Sequence, residues 1–171
     1  MKKKILITGK RNIEAISNEK EKKRKVSQSW TNKEYLLKKY TQQNLINQLF
    51  LGEKFEGIEH VKKEIEKKIK GYKTQDINKN KYNFKNFIKY DNLIEKIVVS
   101  KLNCYYCRKM CKLMYDDVRD EMQWTLDRID NDIGHNDNNV VICCLKCNIK
   151  RRTTNDKHFK FSKKMKIIKK Y

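Results

Sequence analysis

The chain has 171 residues, enough for one ordinary domain or a small catalytic module with a helical extension. Forty-two Lys and Arg against 21 Asp and Glu give a formal net charge of +21 and a pI of about 9.7. No run approaches the roughly 18 apolar residues of a spanning helix, which excludes a membrane-embedded protein, and the positive excess calls for an acidic partner, of which nucleic acid is the commonest.

Met1-Lys2-Lys3-Lys4-Ile5-Leu6-Ile7 opens like a signal peptide, but Thr8-Gly9-Lys10-Arg11 follows after only three apolar residues. A secretory core needs about 7–15. The expectation is an intracellular chain with reduced thiols. Residues 1–30 read as a flexible basic arm. A helical N-terminal region is expected over 31–101. Thr31-Asn32-Lys33-Glu34 has the form of a capping box, and Leu36, Leu37, Tyr40, Leu45, Ile46 and Leu49 form a stripe, predicting a helix near 31–50. Ile58, Val61, Ile65 and Ile69 predict a second helix, with Gly71 as its stop. Leu93, Ile94, Ile97 and Val98 predict a third over 91–101, capped by Asp91.

Between Cys104 and Arg152 the sequence becomes more specific. Cys104-Tyr105-Tyr106-Cys107 and Cys144-Leu145-Lys146-Cys147 are two CxxC pairs, the ligand pattern of a tetrahedral four-cysteine zinc site. Four thiolates leave no open position, so this zinc would be structural. Buried free thiols or a redox pair are the alternatives. Cys111 and Cys143 are surplus and read as core thiols, although Cys143 abuts Cys144 and could replace it.

Between the pairs the charge inverts: Asp116 to Asp137 holds eight acids and two bases in 22 residues. Clustered carboxylates suit a hard cation such as Mg²⁺; an ordinary acidic loop is the plain alternative. Trp124–Ile129 reads as a strand, 131–138 as loop, Asn139–Ile142 as the start of a second strand, and Asn148–Thr153 as a short basic helix. That is a ββα element with a carboxylate, Asp127, on its first strand and an amide, Asn148, at the start of its helix. The expected fold is α+β, with the zinc-bearing part spanning 102–156 and a basic tail at 157–171.

Leu126-Asp127-Arg128-Ile129-Asp130-Asn131, Gly134-His135, Asn138-Asn139-Val140 and Cys144-Leu145-Lys146-Cys147-Asn148 together resemble the HNH, or ββα-metal, endonucleases that carry a four-cysteine zinc. That type includes endonuclease VII-like junction resolvases. From Gly71-Tyr72-Lys73-Thr74-Gln75-Asp76 to Phe161 the chain is also similar to HNH proteins of large DNA viruses. The resemblance implies a ββα-metal domain stapled by Zn²⁺ on Cys104, Cys107, Cys144 and Cys147. It further implies a DNA endonuclease using Mg²⁺ or Mn²⁺ held by Asp127 and Asn148, with Asn139 bracing the inter-strand loop. Resolvase-like members act as dimers, which leaves a homodimer open, and a viral chain would work in host cytoplasm or nucleus. The family's general base follows the metal-binding Asp, where this sequence has Arg128. A guanidinium stays protonated and cannot take a proton, but it can neutralise a phosphate. His135 is the candidate substitute base, with Asp130 behind it.

Ten bases follow Asn148, Lys150, Arg151 and Arg152 first, against Asp156 alone, a distribution suited to backbone phosphates. Lys and Asn richness without proline is also what the codons of an AT-rich genome would give, so placement of charge carries more weight than its total. Two rival readings follow: a catalytically inactive zinc-ribbon nucleic-acid-binding protein, kept open by Arg128, and a zinc-stabilised protein-interaction module.

Overall fold

The computed structural model describes residues 39–165 and, ahead of them, Gly9 alone. The basic arm, the Thr31–Glu34 capping box, Leu36, Leu37 and residues 166–171 therefore lie outside the described residues, as does the side chain of Tyr40. The described part is mixed α and β: five α-helices and one two-stranded antiparallel sheet.

Helix α1 (Lys39–Leu51) buries Leu45, Ile46 and Leu49, which fall on one side at helical spacing. They pack towards α3 (Tyr90–Ser100), where Leu93, Ile94 and Ile97 are buried. The expected cap Asp91 lies inside the first turn of α3; Lys89 is the N-cap and makes no side-chain cap bond. A carboxylate in a first turn still meets the positive end of the helix dipole. Gln42 of α1 reaches across the chain: its Oε1 accepts from the Leu113 and Met114 amides at 2.7 and 3.2 Å.

Helix α2 runs from Ile58 to Asn78, so Gly71 does not end it. A helix tolerates one glycine at a cost of about 1 kcal/mol, and the residues after Gly71 have long-range partners that offset it. The Tyr72 hydroxyl accepts from the Leu126 amide at 2.9 Å, and Asp76, fully buried, binds His135. Lys68 of the same helix lies over the rings of Trp124 and Tyr115 and donates to Gln123 and to the Trp124 carbonyl. Burial pulls its ammonium down to about 7.

Strands β1 (Trp124–Arg128) and β2 (Val140–Cys144) pair with Trp124 opposite Cys144 and Arg128 opposite Val140. Asn139 ends a 3₁₀ turn, Asp137–Asn139, instead of opening the strand. Helix α4 (Leu145–Arg151) begins three residues before the expected start, so Cys147 and Asn148 both lie within it, and it packs on both strands. Helix α5 (Asp156–Lys164) takes up the beginning of the basic tail; the Asn155 side chain caps it by accepting from the amides of Lys157 and His158. One core joins α1–α3, the sheet, Tyr106, Leu113 and Met114.

Candidate metal centre and adjoining cavity

The two CxxC turns bring Cys104, Cys107, Cys144 and Cys147 together with all four Sγ atoms within 4.8 Å of one another. Sγ of Cys107 and Sγ of Cys144 are 3.9 Å apart. Four sulfurs at the usual zinc distance of about 2.3 Å would be about 3.8 Å from each other in a tetrahedron, so this cluster fits a structural zinc. Three of the four are buried and Cys107 is half-buried. The first turn closes through Arg108 N donating to Cys104 O at 3.0 Å, with Arg108 in the left-handed region at φ 61°. Cys144 caps α4 and Cys147 lies one turn in, so an ion there would fix the start of that helix. Cys111 and Cys143 are fully buried outside the cluster. No other grouping of three or more His, Cys, Asp or Glu among the described residues can hold a metal.

Beside this centre a cavity of about 630 Å³ gathers Asp127, Arg128, His135 and Asn148 from the sequence candidates, together with Tyr72 and Gln75 of α2. His135 is 3% exposed. Its Nδ1 is 2.7 Å from Asp76 Oδ1, and its backbone amide donates to Asp76 Oδ2 at 2.6 Å. The Tyr72 ring lies against the imidazole at 4.6 Å between centroids. Burial lowers the imidazole pKa, outweighing the pull of Asp76 in the other direction, so the ring is neutral at pH 7. With Nδ1–H donated to Asp76, the tautomer this bond selects, Nε2 carries the lone pair.

Gly134 makes this contact possible. A Cβ there would collide with the Lys81 carbonyl and come within 2.8 Å of Asp76 Oδ2. Asn139 ties the loop between the strands: its Nδ2 donates to Asp130 O and Gly134 O at 2.9 and 3.0 Å, and its Oδ1 accepts from Asp130 N at 2.9 Å. The Asp130 carboxylate accepts from the Asp132 amide and so serves the turn. The rest of the acidic stretch is largely spent in ion pairs, Asp120 with Lys112, Glu121 with Lys146, Asp132 with Lys81 and Asp137 with Lys96.

Asp127 and Asn148 share the cavity, but the Asp127 carboxylate does not present free oxygens. Both Asp127 oxygens accept from Arg151 Nη1 at 2.9 Å, and Oδ2 also accepts from the Tyr106 hydroxyl at 2.6 Å. Burial pushes this carboxyl up, opposed by the Tyr106 bond and the Arg151 charge. Asn148 Nδ2 donates to Thr125 Oγ1 and Leu126 O, both at 3.1 Å. The expected Mg²⁺ or Mn²⁺ pair therefore does not fit as it stands, because a guanidinium already matches the carboxylate. Arg151 also leaves the phosphate-facing set: it is 1% exposed, whereas Lys150 and Arg152 are exposed. Four further cations, Lys79, Lys81, Arg128 and Arg152, line the cavity.

Tyr72 and Asp76 open the stretch similar to viral HNH proteins and Tyr106 lies inside a CxxC pair, but nothing in the sequence assigns these three a role or turns Arg151 inward. Asp76 is 59 residues from His135, and no spacing rule joins them. Comparison with known proteins gives no match, whether to a family model, a curated protein or a solved structure.

Proposed function

We propose that the chain is a nuclease of the HNH, ββα-metal class that hydrolyses phosphodiester bonds in DNA. The observation that carries this reading is the buried Asp76–His135 pair opening onto a cavity rimmed by Arg128, Arg152, Lys79 and Lys81. A neutral imidazole oriented by a carboxylate is the arrangement a general base requires. The surrounding cations suit a phosphate and the charge that builds on it during attack. In this reading His135 Nε2 accepts a proton from water as that water attacks phosphorus, the P–O3′ bond breaks, and the leaving O3′ takes a proton from solvent. Arg128, in the position where the family has its base, neutralises the phosphate, and Lys150 and Arg152 hold flanking backbone. Zinc on the four cysteines would fix the helix carrying Asn148. A divalent cation would add Lewis-acid charge, but with Arg151 on Asp127 no step is assigned to it.

A second reading, a zinc-stabilised nucleic-acid-binding protein without catalysis, is favoured by one observation: the Asp127–Arg151 pair fills the carboxylate that the family spends on its cation. Zinc-loaded protein with supercoiled plasmid and with four-way-junction DNA separates the two. The nuclease reading expects nicking that falls about 10²–10⁴-fold in His135→Asn. Tight, salt-sensitive binding with no cutting of either substrate selects the second reading.

A further inference from the structure

The carboxylate of Asp127 already has a cation, and that cation is part of the chain. Arg151 Nη1 donates to both Asp127 oxygens at 2.9 Å and to Arg128 O at 2.7 Å, while Nη2 donates to Ile129 O at 2.8 Å. The guanidinium thus also satisfies two carbonyls at the end of β1, where strand pairing stops at Arg128. The Tyr106 hydroxyl closes Asp127 from the other side at 2.6 Å. Both partners come from the cysteine turns: Tyr106 lies between Cys104 and Cys107, and Arg151 lies one helical turn beyond Cys147. The segments that carry the four cysteines therefore also carry both partners of Asp127.

We propose that Arg151 is the resident cation of the Asp127 seat, held there by the four-cysteine centre, and that it keeps Mg²⁺ and Mn²⁺ off this carboxylate. A divalent ion could reach Asp127 only by displacing a guanidinium that is itself 1% exposed. The displaced charge would be stranded in the interior, and the Arg128 and Ile129 carbonyls would lose this donor. Binding of Mg²⁺ does not compensate that loss, because the ion gives up its own hydration reluctantly. Arg151 acts here as a positioning residue. The inference concerns the metal dependence of the site read above as a nuclease, but it rests on the seat alone and is tested without cleavage.

The test is Mn²⁺ titration of the zinc-loaded chain, with free Mn²⁺ followed by electron paramagnetic resonance and zinc content checked at one per chain. Wild type and Asp127→Asn are expected to give coincident isotherms, since Asp127 is not a ligand. Arg151→Gln is expected to gain one Mn²⁺ site at least tenfold tighter than any in wild type, lost again in Arg151→Gln/Asp127→Asn. The inference is overturned if Asp127→Asn weakens Mn²⁺ binding in the wild-type background. It is equally overturned if Arg151→Gln, folded and fully zinc-loaded, gains no site. Should Arg151→Gln fail to hold zinc, the wild-type and Asp127→Asn pair decides alone. Failure of the nuclease reading would leave all of these outcomes unchanged.

Discussion

Between α1 and α3 the buried contacts are aliphatic: Leu45, Ile46 and Leu49 against Leu93, Ile94 and Ile97. Around β1, β2 and α4 the apolar residues Trp124, Leu126, Val140 and Ile142 are joined in the interior by three of the four cluster cysteines, Cys143, the carboxylates of Asp76 and Asp127, the His135 imidazole and the Arg151 guanidinium. Aliphatic packing is non-directional and accepts swaps of similar volume. Each buried polar group instead requires a particular partner at a particular distance, because an unmatched one is costly. Packing alone explains the first region. It does not explain why the second buries two charge-bearing pairs next to a cavity, and that is where function is sought. Helix α2 belongs to both, with Val61 and Ile65 in the apolar core and Tyr72 and Asp76 at the cavity.

Removing metal should have the largest effect and fall on the second region first. Structural zinc contributes about 10–16 kcal/mol of apparent binding free energy in small zinc domains. Chelation, or Cys144→Ser, should therefore abolish the near-ultraviolet dichroism of Trp124 and lower the melting temperature steeply. A melt unchanged by chelation would dissolve the contrast between the two regions. Next in size is Arg151→Met, which strands the Asp127 charge and should cost about 3–5 kcal/mol by urea unfolding. Pairing it with Asp127→Leu should recover much of that loss, whereas additive losses would show that the pair is not coupled. In the aliphatic region Leu93→Ala should cost about 2–5 kcal/mol and Ile97→Val only about 0.5–1.5, with zinc content unchanged in both. Loss of zinc in Ile97→Val would mean that the apolar half is as exacting as the polar one.

The sequence was most legible where spacing alone determines geometry. The paired CxxC turns predicted the thiol cluster, and period-3.6 patterning marked the buried faces of α1 and α3. Local signals misled where tertiary contacts overrode them. Gly71 reads as a stop, yet α2 continues because Tyr72 and Asp76 have partners on β1 and the loop after it. Arg151 reads as one more base in a basic run, yet it points inward because Asp127 and the end of β1 lie beneath α4. A run of like residues does not say which one turns in; only the helix register against its neighbour does. The acidic stretch likewise suggests a cation site, while four of its eight carboxylates pair with lysines and that of Asp127 with Arg151.

The most direct test of the central claim is the pH dependence of single-turnover DNA cleavage by zinc-loaded wild type and Asp76→Asn. A base works in its neutral form, and the His135 pKa is lowered below its usual 6.5, chiefly by burial. The rate should therefore be on its plateau at neutral pH and fall only as the pH drops through that lowered value. In Asp76→Asn the plateau should be depressed by loss of the oriented tautomer, and the limb should move further down because Asp76 no longer raises the pKa. Cleavage with no acid limb, a limb that Asp76→Asn leaves where it was, or no cleavage at any pH would contradict the assignment of this cavity as a nuclease site.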